Sequence, residues 1–342
     1  MHKSLQIAKA QKSGGKFPPR ARRISADGGV GGTAPHAFPD YLLAEHSVHG
    51  PREVTMDTIL VTGASGKLGS ALVEALVGRG INVRAATRQP KKIKWTGLVQ
   101  PVVFDYEDRG LYKAALDGVS SVFLIAPPLD AQAPAKLIPF IDKAREMGVR
   151  HVVLNSVMKA DSNEQNPLRI VEQHLLKKTG LDCIILRPNF FMENFSSGWF
   201  AQMIANGKIR LAAGDAGTSF ISVEDIARVA AVCLLEKRSG AQYNLTGFEA
   251  FGYGEVARMI SDACGRTITY NPISETELMK DARELGMPES AVQYVGQLFA
   301  YTRKGLMAEI TNAVLEVTKR APISFKEYAR RNADRWKMRK AA

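Results

Sequence analysis

Cysteine is scarce: Cys183, Cys233 and Cys264 are the only three in 342 residues. They are odd in number, far apart and set among apolar neighbours. That excludes a disulfide framework and the close spacing of a metal site. Buried, reduced thiols suit a reducing compartment, so a cytoplasmic location and no metal are expected. No apolar run approaches the ~20 residues a membrane-spanning helix requires, so no membrane partner is expected. Acid is missing from one stretch: "MHKSLQIAKAQKSGGKFPPRARRIS" at the N-terminus has none.

The net charge of +12 weakens as a nucleic-acid signal once it is mapped. Residues 1–55 hold eight Lys or Arg against four acids, which places +4 there and +8 in the remainder. In that remainder basic residues alternate with acids, as in "RGLYKAALD" and "KDAREL", the pattern of solvated helix faces. No nucleic-acid partner is expected. Residues 1–55 also carry glycine and proline without periodicity. They fit a transit peptide or a disordered extension upstream of a start at Met56, and the second is the expectation.

From residue 58 short β-rich runs alternate with helical stretches. "TILVT" precedes "LGSALVEALVGRG", "INVRAAT" and "PVVFD" follow, and "VSSVFLIAPP", "VRHVVLNSV" and "LDCIILRP" each come after a helical segment. Gly80, Gly118, Gly148 and Gly180 fall where helices should end. Strands apolar at consecutive positions belong in a parallel sheet covered on both faces. We therefore expect an α/β fold, a doubly wound parallel sheet (Rossmann) of about six strands over residues 56–188. A smaller, mostly helical substrate lobe is expected over 189–342, interleaved with the sheet because "AQYNLTG" still reads as a strand.

Within "ILVTGASGKLGS" a strand, the glycines Gly63, Gly66 and Gly69 and a helix follow in order. Gly63 permits a tight turn, Gly66 lets backbone approach a pyrophosphate, and Gly69 lets the helix pack on the strand. Ser65, Lys67 and Leu68 complete a dinucleotide-binding turn. NAD sites usually place a carboxylate at the end of the second strand; here Thr87 and Arg88 stand there, with Lys91 and Lys92 behind. A carboxylate would repel a 2′-phosphate, whereas the planar Arg88 fork can bind one, so NADP(H) is the expected cofactor. Asp105, Ala126, Pro127 and Asn155 end later strands and join the cofactor set.

One further absence bears on chemistry. Short-chain dehydrogenases follow the fifth strand with Tyr-x-x-x-Lys, but residues 155–180 contain no tyrosine. Ser156 and the helix residues Arg169, Glu172 and His174 are what remains there. Beyond the sixth strand, Phe190, Phe191, Met192, Phe195, Trp199 and Phe220 can wall a pocket for a small hydrophobic or aromatic substrate, with Asn189 and Asn194 as polar handles. Ser222 and Asp225 read as helix caps.

"TGASGKLG", "LRPNFFMENF", "AAGDAGTSFISVEDIARVA" and "ISFKEYARRNADRW" resemble the NmrA-like branch of atypical short-chain dehydrogenases, from about Ile59 to Trp336. Within it the chain is most similar to ergot-alkaloid reductases (festuclavine and agroclavine synthases), and more distantly to quinone and triphenylmethane reductases. The resemblance implies an NADPH-dependent reductase acting without the tyrosine pair on an iminium, quinone or similarly activated acceptor. Ser156, placed at the end of the fifth strand, and Arg169 are the catalytic candidates. Arg169 falls where distant quinone-reductase relatives carry a His and isoflavone-reductase relatives a Lys. The branch also includes a regulator that binds dinucleotide without known chemistry, so the alternative is a non-catalytic redox sensor acting through a protein partner.

Overall fold

In the computed structural model, residues 57–92, 97–178 and 180–337 are described; the leader expected over 1–55 lies outside them. The first half runs β1 (Thr58–Val61), α1 (Lys67–Val77), β2 (Val83–Thr87), β3 (Val99–Val103), α2 (Tyr112–Leu116), β4 (Val119–Ile125), α3 (Ala133–Glu146), β5 (His151–Asn155), α4 (Pro167–Lys178) and β6 (Asp182–Pro188). The second half is richer in helix. It runs α5 (Trp199–Ala205), β7 (Lys208–Leu211), α6 (Val223–Glu236), β8 (Gln242–Leu245), α7 (Tyr253–Cys264), β9 (Thr269–Pro272), α8 (Glu275–Glu284), α9 (Glu289–Arg303), α10 (Ala313–Thr318) and α11 (Phe325–Trp336).

Seven strands form one sheet in the order β3-β2-β1-β4-β5-β6-β8, and every neighbouring pair is parallel. The order reverses direction between β1 and β4, the crevice where doubly wound folds take ligands. The seventh strand is the "AQYNLTG" segment, which reaches β6 with Ile185 opposite Gln242. A separate parallel pair, β7–β9, sits in the later half. The expected helix-ending glycines all take left-handed backbone, with φ from +67 to +88.

Alternation along the central strands sorts side chains between two cores. Val61, Phe123, Val153 and Ile184 face one way and pack with α1, α6 and α10, through Leu72, Leu76, Ile226, Ala230 and Val314. Leu60, Val122, Leu154 and Ile185 face the other way and pack with α2, α3 and α4, through Leu116, Phe140 and Val171. A third, aromatic core lies in the later half, built on Phe195, Phe220, Tyr253, Phe299 and Phe325. Among the described residues no helix is long and apolar enough to cross a membrane.

Candidate functional site

The turn after β1 is fastened before it bends. Thr62 Oγ1 donates to the Phe123 carbonyl at 3.1 Å and accepts the Ile125 amide at 3.0 Å, tying the turn to the end of β4. Gly63 is left-handed at φ +59, and a Cβ there would lie 2.8 Å from Ile125 Cγ2. At Gly69 a Cβ would lie 2.1 Å from the Gly63 carbonyl oxygen and 2.8 Å from Ala64 Cα. Helix α1 thus rests directly on its own turn, a placement no larger residue permits. Gly66 is the extended residue preceding α1, and no side chain caps the helix nor does any acid stand in its first turn. The leading amides of α1 keep the partial positive charge of an open helix start. The Leu68 side chain is core, so only its backbone belongs to the turn.

The residues expected to hold the cofactor lie at the C-terminal ends of neighbouring parallel strands, or just beyond them. Ser65 Oγ and Thr87 Oγ1 lie 2.9 Å apart, joining the turn to the end of β2. Arg88, the next residue, is exposed. Asp105, two residues beyond β3, accepts the Glu107 amide at 3.1 Å. Ala126 and Pro127 are half-buried just beyond β4 and border a small cavity of about 30 Å³ shared with Leu129, Pro167 and Tyr294. Asn155 ends β5 nearly fully buried, and its Oδ1 has no hydrogen-bond partner.

The two catalytic candidates are already engaged. Ser156 Oγ donates to Glu172 Oε1 at 2.5 Å. That carboxylate is wholly buried and is gripped by both arms of Arg187, Nε to Oε1 at 2.8 Å and Nη2 to Oε2 at 2.7 Å. Arg169 Nη1 adds a contact to Glu172 at 3.2 Å, and its Nη2 pairs with Glu164 at 3.2 Å. Burial alone would lower the Arg187 pKa, but pairing outweighs it and leaves it raised. Arg169 therefore serves an ion-pair network rather than an open cleft. His174 is likewise taken, 2.7 Å from Asp142 across α3 and α4. Arg187 was not among the expected residues; its only sequence signal is a charge interrupting the apolar "CIILRP".

The aromatic segment divides. Phe190, Phe191 and Trp199 are half-buried, but Met192, Phe195 and Phe220, expected in the same wall, are core side chains at 2 %, 0 % and 1 % exposure. Phe195 packs against Phe200, Phe220 and Phe325 with ring centroids 5.2–5.5 Å apart, leaving no surface for a substrate. Asn189, expected as a polar handle, is a clamp: its Nδ2 donates to Ser219 Oγ and the Met307 carbonyl, both at 2.8 Å, and its Oδ1 accepts the Phe190 amide. Lys67, the first residue of α1, reaches over to this segment. Its Nζ lies 3.3 Å from the Glu193 carbonyl and 3.5 Å from Asn194 Oδ1.

Glu193 also closes the start of α6, its carboxylate accepting the Val223 amide at 2.9 Å and the Ser222 hydroxyl at 3.1 Å. Ser222 is the cap expected, accepting the Glu224 amide at 3.2 Å. Asp225 instead ties in the C-terminal segment by accepting the Ile323 amide at 2.8 Å, and pairs with Arg228.

The NmrA-like family model matches residues 55–329. Prestalk A differentiation protein A of Dictyostelium discoideum is 33% identical over 282 residues, covering 81% of this chain and 92% of that protein. Agroclavine dehydrogenase of Claviceps fusiformis is 30% identical over 294 residues, covering 82% and 99%. The NADPH complex of the Escherichia coli quinone oxidoreductase QOR2 superposes with a TM-score of 0.69 at 22% identity, covering 79% of this chain and 98% of that one.

Proposed function

The chain belongs to the NmrA-like family, and from that premise we propose an NADP(H)-dependent oxidoreductase that reduces an already electrophilic acceptor, an iminium, a quinone or a similar conjugated system, without a tyrosine acid. The observation that carries the reading is the open start of α1 above Gly69. There the protein withholds every side-chain cap from a helix end packed into the crevice of the sheet. The unpartnered Asn155 Oδ1 at the end of β5 is a second point of fit, a buried acceptor awaiting a donor.

On this reading the amides of Lys67 and Leu68 hold the pyrophosphate, while the Gly66 amide closes the turn on the Gly63 carbonyl at 2.8 Å, and Arg88 holds the 2′-phosphate. Asp105 stands toward the adenosine end, and Ala126, Pro127 and Asn155 toward the nicotinamide end. When bound, the cofactor supplies the hydride. The protein's own part is placement and exclusion of water. Ser156 cannot act as a free acid while its proton is directed to a carboxylate already held by Arg187, and no tyrosine stands in residues 155–180 to replace it. An acceptor that needs no strong acid suits such a site. Phe190, Phe191 and Trp199 keep enough free surface to lie along it.

The test follows NADPH absorbance with a panel of quinones, iminium salts and azo dyes, and NADP⁺ with simple secondary alcohols. Steady oxidation by an activated acceptor and little turnover of alcohols is expected; brisk alcohol oxidation refutes the mechanism. NADPH binding without turnover of any acceptor would leave the sensor reading. Arg88→Asp should weaken NADPH about 10- to 100-fold, the worth of a charge-assisted phosphate contact, with a smaller loss for NADH. Equal wild-type affinity for the two cofactors would overturn the NADP(H) assignment.

A further inference from the structure

A cavity of about 290 Å³ lies between the starts of α1 and α6 and helix α11. Its charges answer one another: Glu224 pairs with Arg331, and Glu193 closes the start of α6. The small cavity beyond β4 is different. Ala126 and Pro127 from the end of β4, Pro167 and Leu168 from the start of α4, and Tyr294 from α9 wall it. Asp130 also lines it, but that carboxylate is held by Lys136 at 2.7 Å. Tyr294 thus brings the one side-chain hydroxyl among the lining residues. Helix α9 buries Val295 and Phe299 in the aromatic core, while Tyr294, Leu298 and Tyr301 form a second, half-buried stripe at helical spacing. Phe190 packs on Phe299 of the same helix with ring centroids 5.8 Å apart, which brings the acceptor wall beside α9. The polar neighbour of the Tyr294 hydroxyl is the Asn166 side chain. Asn166 Oδ1 already accepts the Leu168 amide at 2.9 Å and the Arg169 amide at 3.4 Å. What Asn166 offers the phenol oxygen is therefore its Nδ2 donor, and the phenol's own O–H remains to be given. Burial raises the Tyr294 pKa above the ordinary tyrosine value, so the proton stays on at neutral pH.

We propose that Tyr294 positions the acceptor, its hydroxyl donating a hydrogen bond to an acceptor oxygen or nitrogen that carries a lone pair, an assignment that rests on the oxidoreductase reading above. The volume of about 30 Å³ admits about two waters. That suits a single carbonyl or imine head, with the body of the acceptor outside along Phe190. The tyrosine missing after β5 is thus answered from α9, a different element on the opposite wall. A hydroxyl that keeps its proton polarises a quinone, yet it does not serve as the base that alcohol oxidation requires.

The test compares wild type with Tyr294→Phe, which keeps the ring and loses only the hydroxyl. Two acceptors are used: duroquinone, whose carbonyl oxygens accept hydrogen bonds, and an N,N-dialkyl iminium salt, whose nitrogen has no lone pair. With NADPH, kcat/KM for duroquinone should fall about tenfold, while that for the iminium salt and the NADPH affinity stay within about twofold of wild type. Unchanged NADPH affinity also shows that the variant is folded. With NADP⁺ in place of NADPH no turnover occurs, and duroquinone binding, read by calorimetry, should weaken about three- to tenfold. Weakened quinone binding in a protein whose wild type turns over neither acceptor would uphold the positioning role and overturn the oxidoreductase reading. Quinone turnover and binding both unaltered by the substitution, or equal losses with both acceptors, would overturn the proposal and leave that reading standing. A wild type that neither binds nor reduces the quinone would overturn the proposal outright.

Discussion

Helices α1 and α6 pack along each other in one core and begin at the same cavity wall, yet they end their N-termini in opposite ways. The start of α6 is closed three times over: Ser222 caps the Glu224 amide, Glu193 takes the Val223 amide, and Glu224 and Asp225 place acid in the first turn. The start of α1 has a glycine, no cap and no acid. Both helices carry the same backbone dipole. A ligand-binding helix start is thus recognised by what the protein leaves undone, and a structural one by what it supplies.

Four experiments break or sharpen that contrast. Gly69→Ala should have the largest effect. A methyl 2.1 Å from the Gly63 carbonyl must push α1 off its turn, costing about 3 kcal/mol of stability and more than 100-fold in NADPH affinity, read by thermal denaturation and fluorescence titration. Gly66→Asp would make α1 resemble α6. Gly66 already has extended backbone at φ −82, so the carboxylate can cap the helix once the Gly63 carbonyl, 3.2 Å from the new Cβ, gives by a few tenths of an ångström. NADPH and NADH should both bind about tenfold or more weakly through lost amides and like-charge repulsion, while the unliganded protein stays folded, the new cap offsetting the tight 3.2 Å approach to the Gly63 carbonyl. Unchanged affinity would mean that the open amides hold nothing. Ser222→Ala applies the converse to α6, where a loss of about 1 kcal/mol with intact NADPH binding is expected. The smallest effect belongs to Glu193, whose pKa is raised because burial outweighs its hydrogen bonds. An acid with a raised folded pKa binds more protons folded than unfolded, so its contribution to stability falls as pH rises from about its ordinary value to the raised one. Glu193→Gln should remove that slope, visible as the difference between the two stability–pH curves.

The glycine turn and the succession of strands and helices along the chain were legible because each is a local pattern: a period of two or 3.6, a glycine at a bend, a β-branched run after it. The site's inner lining was not. Glu172 and Arg187 are 15 positions apart on a helix and a strand, and nothing local announces that they meet in a bidentate pair. Burial is cooperative in the same sense. Hydrophobicity marked Phe190, Phe195 and Phe220 alike, but only the arrival of Tyr253 and Phe325 from later in the chain decides which of them is enclosed. Asn189 misled for the complementary reason: its partners, Ser219 and the Met307 carbonyl, come from 30 and 118 residues away.

The position of β8 has a consequence for synthesis. Strand β6 ends at Pro188 and its outer neighbour begins at Gln242, so a growing chain holds an unpaired, apolar strand edge for 53 residues. At ribosomal speeds that is roughly 3–10 s. Over much of the same interval α1 waits for α6 to cover its apolar side. A nascent or prematurely terminated chain stopping near residue 188 would display what templates edge-to-edge association. Such fragments should collect in inclusion bodies or on chaperones, whereas chains released after Leu245 have the sheet complete.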